Sequence, residues 1–452
     1  MNITSGLQLF VDQSGDFWDR LKTSSFVRNV LIVMSGTALA QVLSFALSPI
    51  ISRLYSPADF GVFGSFTAVL GVVSAGITLG YNQALMLPKK KDDAFGLFVI
   101  SFFFSLLMAA FCLAICLIAP RSLLGIMKAS NVWILPLLVI GIFFSGVNQT
   151  IQGWCIRVKA FKRTSTSQVI RSLSANGTQV GLGYLKGGPL ALIFAVTLGD
   201  ILATLNLTQG VWRELKAHWR SIRWKRLWPL AKEYHDFPLY LASTNVLNAL
   251  SLGLPVILLT HFYGIAVAGA YAFAIRLMQA PMELVLRSLR QVLYQKASET
   301  YNEGGRLVPL FLKITGGLFA TGFFPSLVLF IWAPQIFSWI FGAQWQTAGG
   351  FAQSLVIWLL FMFSNVPSVL FARIMRMQRK MFLFDQALLI ARALALIIGG
   401  LYLTASQTIL LYSLIGAIMN IMIIIIIGFA LMKMEGDTKI KDYFDSLKKN
   451  RP

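Results

Sequence analysis

The sequence predicts an all-α polytopic membrane protein, with about 12 transmembrane helices in two six-helix lobes related by a pseudo-two-fold axis along the membrane normal. Three observations predict it. Apolar stretches of spanning length recur from Val27 to Met432, Lys and Arg gather in alternate connections, and marker residues recur at a near-constant offset in the two halves. Composition agrees: 56% of residues are hydrophobic and 13% charged, and the mean hydropathy is +0.70. A spanning helix needs about 20 mostly apolar residues to cross roughly 30 Å of hydrocarbon. A soluble fold is excluded.

Residues 1–26 are read as a cytosolic N-terminal segment. Asp12, Asp16 and Asp19 interrupt it and no apolar core precedes a cleavage site, so it is not a secretory signal peptide. The N-lobe, residues 27–209, holds the spans Val27–Ile51, Phe60–Met86, Phe95–Ile118, Trp133–Trp154, Val169–Leu185 and Pro189–Gln209. The first directs insertion. The fifth is the most polar, with Arg171, Asn176 and Gln179 inside it, and it is retained because losing it would invert every later helix against the charge pattern. Residues 210–237 form a basic cytosolic linker. The C-lobe, residues 238–432, holds Pro238–His261, Ala266–Ser288, Leu310–Trp332, Phe351–Ala372, Leu383–Leu403 and Ile409–Met432, and residues 433–452 are a cytosolic tail. Pro49, Pro255, Pro281, Pro325 and Pro367 fall inside spans, where a missing backbone donor bends a helix.

Charge sets the orientation. With the N-terminus in the cytosol, and with Arg28, Arg171 and Arg287 near the cytosolic ends of their spans counted to that side, 32 of the 39 Lys and Arg face the cytosol, 4 face the opposite side (Arg53, Arg121, Lys128 and Lys186), and Arg276, Lys313 and Arg392 lie deeper within spans. That asymmetry is the positive-inside pattern, and it places both termini in the cytosol. The net charge of +21 is spread over seven cytosolic segments rather than one groove, which argues against a nucleic-acid partner. In the densest stretch, Arg213–Lys232, Trp219, Trp224 and Trp228 alternate with cations; such a segment lies flat among lipid headgroups, so membrane lipids are expected partners.

The repeat is read from Pro49 and Pro255, 206 residues apart, and from Gly61-Val62-Phe63 and Gly269-Ala270-Tyr271, 208 apart. Equal orientation of the halves makes this a parallel repeat, and directs attention to the lobe interface as the working site.

Polar residues on single helix faces mark that site. Span 8 carries Arg276, Gln279, Glu283, Arg287 and Arg290 at steps of 3, 4, 4 and 3. Arg276 lies roughly 15 Å from the start of its span, near the bilayer midplane. An arginine there costs at least about 2.5 kcal/mol unless it faces water or a partner. Glu283 and Arg287 are an i,i+4 pair in the favourable order, and Glu283 is a charge partner for the row. Arg276 has no acid one turn away, so it is the better candidate for an anionic ligand, because a guanidinium fork matches phosphate oxygens. Asp200, near the middle of span 6, is the expected internal partner of Arg276 or a proton carrier; Asp385 and Arg392 suggest a further pair in span 11. Thr37, Gln41, Ser44, Ser48 and Ser52 line one face of span 1, Thr67, Ser74, Thr78 and Tyr81 one face of span 2, and Thr244, Asn248 and Ser251, with Asn245 adjacent, one face of span 7. Of these, Gln41, Tyr81, Asn245 and Asn248, with Gln279, are the expected hydrogen-bonding contacts to a polar ligand. Rows of Ser and Thr also glue helices together.

No enzyme is expected. His218, His235 and His261 are scattered, no P-loop, Cys-x-x-Cys or Ser-His-Asp set occurs, and Cys112, Cys116 and Cys155 give neither a disulfide framework nor a metal site, so no cofactor is expected. The far-side connections around Pro120–Asn131 and Pro334–Ala348 are too short to hold a glycan acceptor.

The first hairpin reads Ser35-Gly36-Thr37-Ala38-Leu39-Ala40-Gln41, then Pro49 to Gly61 as PIISRLYSPADFG, and after span 2 Ala84 to Asp92 as ALMLPKKKD. This resembles the polysaccharide-transport branch of the multidrug/oligosaccharidyl-lipid/polysaccharide (MOP) exporter superfamily, the Wzx-type flippases. The resemblance implies a carrier in the bacterial inner membrane that moves an undecaprenyl-diphosphate-linked oligosaccharide, an O-antigen, capsule or exopolysaccharide repeat unit, through a central cationic cavity. It also implies other polysaccharide-assembly proteins as partners. Relatives often carry Arg or Glu before the Pro-Lys turn, where this chain has Gly80-Tyr81-Asn82-Gln83. The alternative within the same superfamily is a cation-coupled drug antiporter, which calls for an acidic, aromatic pocket.

Overall fold

The computed structural model describes residues 25–219, 224–302, 305–375 and 377–449, with side chains described from 36 to 436 except at 220–223, 287, 288, 291, 292, 294–296, 298, 301–304, 376 and 378. Every element among the described residues is helical. In chain order they are α1 (Ser25–Leu54), α2 (Pro57–Gly76), α3 (Tyr81–Ala84), α4 (Lys91–Ile118), α5 (Pro120–Met127), α6 (Ile134–Arg157), α7 (Phe161–Tyr184), α8 (Gly188–Trp219) and α9 (Trp224–Glu233). After a π-turn at Phe237–Ala242 come α10 (Ser243–Tyr263), α11 (Ile265–Asn302) and α12 (Leu307–Phe341). A short 3-10 turn at Ala343–Trp345 leads to α13 (Gln346–Ser364), α14 (Val366–Ile374), α15 (Gln378–Tyr402) and α16 (Ala405–Lys449).

Eleven helical segments are long and apolar enough to cross a membrane. The fifth expected span is α7, 24 residues long, which falls below that apolar standard because its buried face is polar. It lies antiparallel to α8: Ser167 donates to the Ala203 carbonyl at 2.9 Å, and a Cβ on Gly199 would sit 2.9 Å from the Arg171 carbonyl. Buried Ser167, Ser172 and Asn176 hydrogen-bond to neighbouring helices, so hydropathy understates its fit.

Several expected boundaries shift: the helices of the sixth, eighth and ninth spans run on to Trp219, Asn302 and Phe341, and three further ends move for local reasons. The second span ends at Gly76, ten residues before Met86, because Leu79 (φ 49°) and Gly80 (φ 75°) turn the chain into the short α3. The tenth span breaks at Asn365, beside Pro367 near the start of α14, whereas Pro49, Pro255, Pro281 and Pro325 sit inside continuous helices. The twelfth continues past Met432 to Lys449.

The described residues fall into two compact units, one within Met1–Leu47, Val69–Leu124 and Ser130–Leu250, the other within Ser48–Ala68, Gly125–Ala129 and Ser251–Pro452. In the first, Phe95, Phe98, Trp154, Leu207 and Val211 belong to one buried apolar cluster. A polar seam joins α1 to α7, where Ser172 donates to the Ala40 carbonyl at 2.7 Å and Asn176 donates to Ser44 at 2.9 Å. Arg157 donates to the carbonyls of Leu85 (2.5 Å) and Pro88 (2.7 Å) and so braces the Pro-Lys turn.

In the second unit, the Ser-Pro-x-Asp stretch is a helix cap. Ser56 hydroxyl and amide both donate to the Asp59 carboxylate at 2.8 Å, Asp59 N donates back to Ser56 Oγ at 3.2 Å, and Pro57 occupies the first position of α2. Tyr55 is buried beside it, and burial, with the Asp59 charge adding to it, pushes its phenol up to about 12. The glycines of the repeat marker are where α2 and α11 cross: a Cβ on Gly61 would lie 2.0 Å from the Ile265 carbonyl, and one on Gly269 1.8 Å from the Pro57 carbonyl. Phe60, Phe273 and Trp345 pack edge to ring around this crossing.

Candidate functional site

Helix α11 is 38 residues long, about 57 Å at 1.5 Å per residue, well beyond the hydrocarbon thickness. Its polar row therefore spans very different depths. Only Ile265–Leu286 of it is apolar enough to cross a membrane; Arg276 lies about 16 Å into that segment and Glu283 about 27 Å, so Arg276 is the deep member of the row and Glu283 lies near the segment's end.

Arg276 is exposed. Its guanidinium carbon is 6.0 Å from the centre of the Phe63 ring, and it borders a small hollow with Ser48, Ile51, Phe60, Phe273 and Leu277. No carboxylate reaches it among the described residues. A cation over an aromatic face in a low-dielectric setting is only partly compensated, which leaves the fork available to an anion. One helical turn on, Gln279 is half-buried and its amide has no hydrogen-bond partner among the described residues. Glu283 faces Arg290 at 3.9 Å, with both side chains about half exposed. The Arg287 side chain, expected to pair with Glu283, lies outside the described residues.

In the other unit, Gln41 and Asn245 are half-buried and Asn248 is exposed, and none has a hydrogen-bond partner among the described residues. The serines that share the Gln41 face behave differently. Ser44 is tied into the seam with α7, and Ser52, in the second unit, donates to the Phe341 carbonyl at 3.0 Å. These hydroxyls are packing glue, and the amides are the free polar groups.

Two expected contacts are corrected. Tyr81 is only 4% exposed, its ring stacks on Phe104, and its hydroxyl donates to the Ala231 carbonyl at 3.1 Å. Its one donor is used within the first unit, which removes it from the ligand contacts. Asp200 forms an ion pair with Arg171 of α7, because the α7–α8 packing puts the two side chains face to face. Its partner is therefore Arg171, the residue that made the fifth span look doubtful.

Arg392 is not paired with Asp385. Asp385 is exposed, whereas Arg392 is 6% exposed, with its guanidinium carbon 4.1 Å from the Trp358 ring centre and 4.9 Å from that of Tyr412. Its Nε and Nη2 have no hydrogen-bond partner among the described residues, and Gly416 makes room for it, since a Cβ there would sit 2.5 Å from Nη2. The sequence signal for this cage was indirect: one arginine, one tryptophan and one tyrosine on three helices distant in sequence. No group of three His, Cys, Asp or Glu able to hold a metal ion occurs among the described residues.

Among the described residues, long apolar helices, amides without hydrogen-bond partners and a deep cation without a carboxylate define a polytopic membrane protein with free polar groups inside its spans. Solved structures agree on the fold. An inward-facing multidrug resistance MATE family transporter of the MOP superfamily superposes with a TM-score of 0.66 at 17% identity, covering 88% of this chain and 95% of that one. The lipid II flippase MurJ in an inward closed conformation gives 0.67 at 15% identity, with 91% and 93% covered. A MOP superfamily transporter from Pyrococcus furiosus Vc1, reported with a binding pocket of reverse polarity, gives 0.59 at 17% identity, with 91% and 96% covered. At these identities the likeness is one of fold. Among curated proteins no sequence match accompanies them. Residues 50–349 match the polysaccharide biosynthesis protein family, and the chain belongs to that family.

Proposed function

We propose that this protein is a flippase that carries an undecaprenyl-diphosphate-linked oligosaccharide across the bacterial inner membrane by alternating access between two six-helix lobes, residues 27–209 and 238–432, with both termini cytosolic. The observation that carries the reading is Arg276, an exposed guanidinium deep in a spanning helix with no carboxylate on it among the described residues. Moving a diphosphate unaided through hydrocarbon is prohibitive, because each charge loses its hydration. A wet path with a fixed cation removes much of that barrier. In this reading Arg276 receives the diphosphate or an acidic sugar, and Gln41, Asn245, Asn248 and Gln279 hydrogen-bond sugar hydroxyls. Family membership in polysaccharide biosynthesis supports the substrate class, and a lipid II flippase of the same fold supports the mode of action. A pocket for organic cations would instead need carboxylates beside Arg276. Deletion of the gene, followed by leaflet-selective labelling and mass spectrometry, is expected to show lipid-linked oligosaccharide accumulating on the cytosolic face. Unchanged distribution between the leaflets overturns the proposal.

A further inference from the structure

The short helix α9 has two faces of opposite character, and only one is covered. At 100° per residue, Leu227 and Leu230 project to one side. Leu230 is 3% exposed, and the two leucines press on α4 so closely that a Cβ on Gly96 would lie 2.8 Å from Leu230 and 3.5 Å from Leu227. Arg226 clamps the same helix down with a two-pronged pair to Asp93, at 2.6 and 2.9 Å. The orientation of α9 is therefore fixed.

The opposite 100° sector holds Trp224, Trp228, Lys232 and Lys225. The two tryptophans are 65% and 79% exposed, both lysines are exposed, and this sector has no carboxylate. At the adjoining end of α8, Trp212, Arg213, Lys216 and Trp219 are also exposed. Helices α4 and α8, which lead to this patch, are both long and apolar enough to cross a membrane, so the phase next to it is the bilayer boundary. Tryptophan, an apolar body with one polar N–H, belongs in that layer, and lysine stems reach from it to phosphate. We propose that the Trp224–Trp228–Lys225–Lys232 face of α9 is a binding surface for anionic phospholipid, with the indoles seated at acyl-chain level and the ammonium groups on the headgroup phosphates. Charge complementarity fixes the occupant: a neutral zwitterionic surface would satisfy the indoles but leave both lysines unneutralised.

The test uses the full chain in phosphatidylcholine vesicles, titrated with phosphatidylglycerol or phosphatidylcholine brominated on the acyl chain near the headgroup, and reads tryptophan quenching. The wild type is expected to be quenched at a several-fold lower fraction of brominated phosphatidylglycerol than of brominated phosphatidylcholine. Trp224→Phe/Trp228→Phe should remove that high-affinity component. Lys225→Gln/Lys232→Gln should keep the quenching and lose that several-fold preference, because each lysine contributes attraction to an anionic surface. Equal quenching of wild type and the Phe variant overturns the proposal, as does a preference that survives loss of both lysines. Helix content by circular dichroism, unchanged across the variants, separates these outcomes from unfolding.

Discussion

Arg392 holds a charge where the fold gives it little in return. It sits in the corner of the perpendicular Trp358 and Tyr412 rings with two nitrogens unpaired among the described residues, and contact with the rings recovers on the order of 2 kcal/mol. Replacing a buried charge by an apolar side chain of similar length is commonly neutral or stabilising, whereas truncation leaves a void. Arg392→Met is therefore expected to keep or raise the thermal unfolding midpoint of the purified protein, and Arg392→Ala to lower it, by about 2 kcal/mol or more of stability. A clear loss of stability in the Met variant would mean that the cation itself holds the helices together. Arg171 makes the contrasting case. It is half exposed and carries its own counter-ion, Asp200, which is how a polar helix remains compatible with a spanning position.

At the scale of elements, the crossing of α2 and α11 is set by two glycines. Because the atoms facing Gly61 and Gly269 are backbone carbonyls, no side-chain adjustment relieves an added Cβ. Gly269→Val should reduce the yield of folded protein in fluorescence-detected size exclusion, while Gly71→Ala, which meets nothing within 4 Å, should leave it unchanged. Equal yields would show that the helices separate without cost. The sequence marked these glycines through their recurrence, yet gave no sign that the two copies touch. Hydropathy located the spans because burial of apolar length is what inserts them. It overran the end of the second, where Leu79 and Gly80 turn the chain through positive φ, and it underrated the fifth, whose hydrogen bonds only become visible beside α1 and α8. The family-like turns Ser56-Pro57-Ala58-Asp59 and Leu87-Pro88-Lys89 proved to be a helix cap and an arginine-braced bend. They carry the resemblance through architecture rather than through ligand contacts.

At the scale of the whole molecule, the chain belongs to the polysaccharide biosynthesis protein family and shares its fold with a MATE family transporter and with MurJ, and in the proposed function the sign of the deep charge separates possible cargoes. The site was legible in part. Arg276 stood out because an arginine twelve residues into an apolar helix needs a reason, and the free amides followed from their rows. The pairing of Asp200 with Arg276 and the ligand contact of Tyr81 failed because helix periodicity gives the face of a residue but not the neighbour packed against it. Flipping of a fluorescent lipid-linked oligosaccharide in proteoliposomes, compared between wild type, Arg276→Lys and Arg276→Ala at matched protein incorporation, tests the central claim most directly. The account predicts that the Ala variant loses at least about tenfold in rate, the worth of one charge-assisted contact, while Lys retains part of it. A wild-type rate in the Ala variant would contradict it.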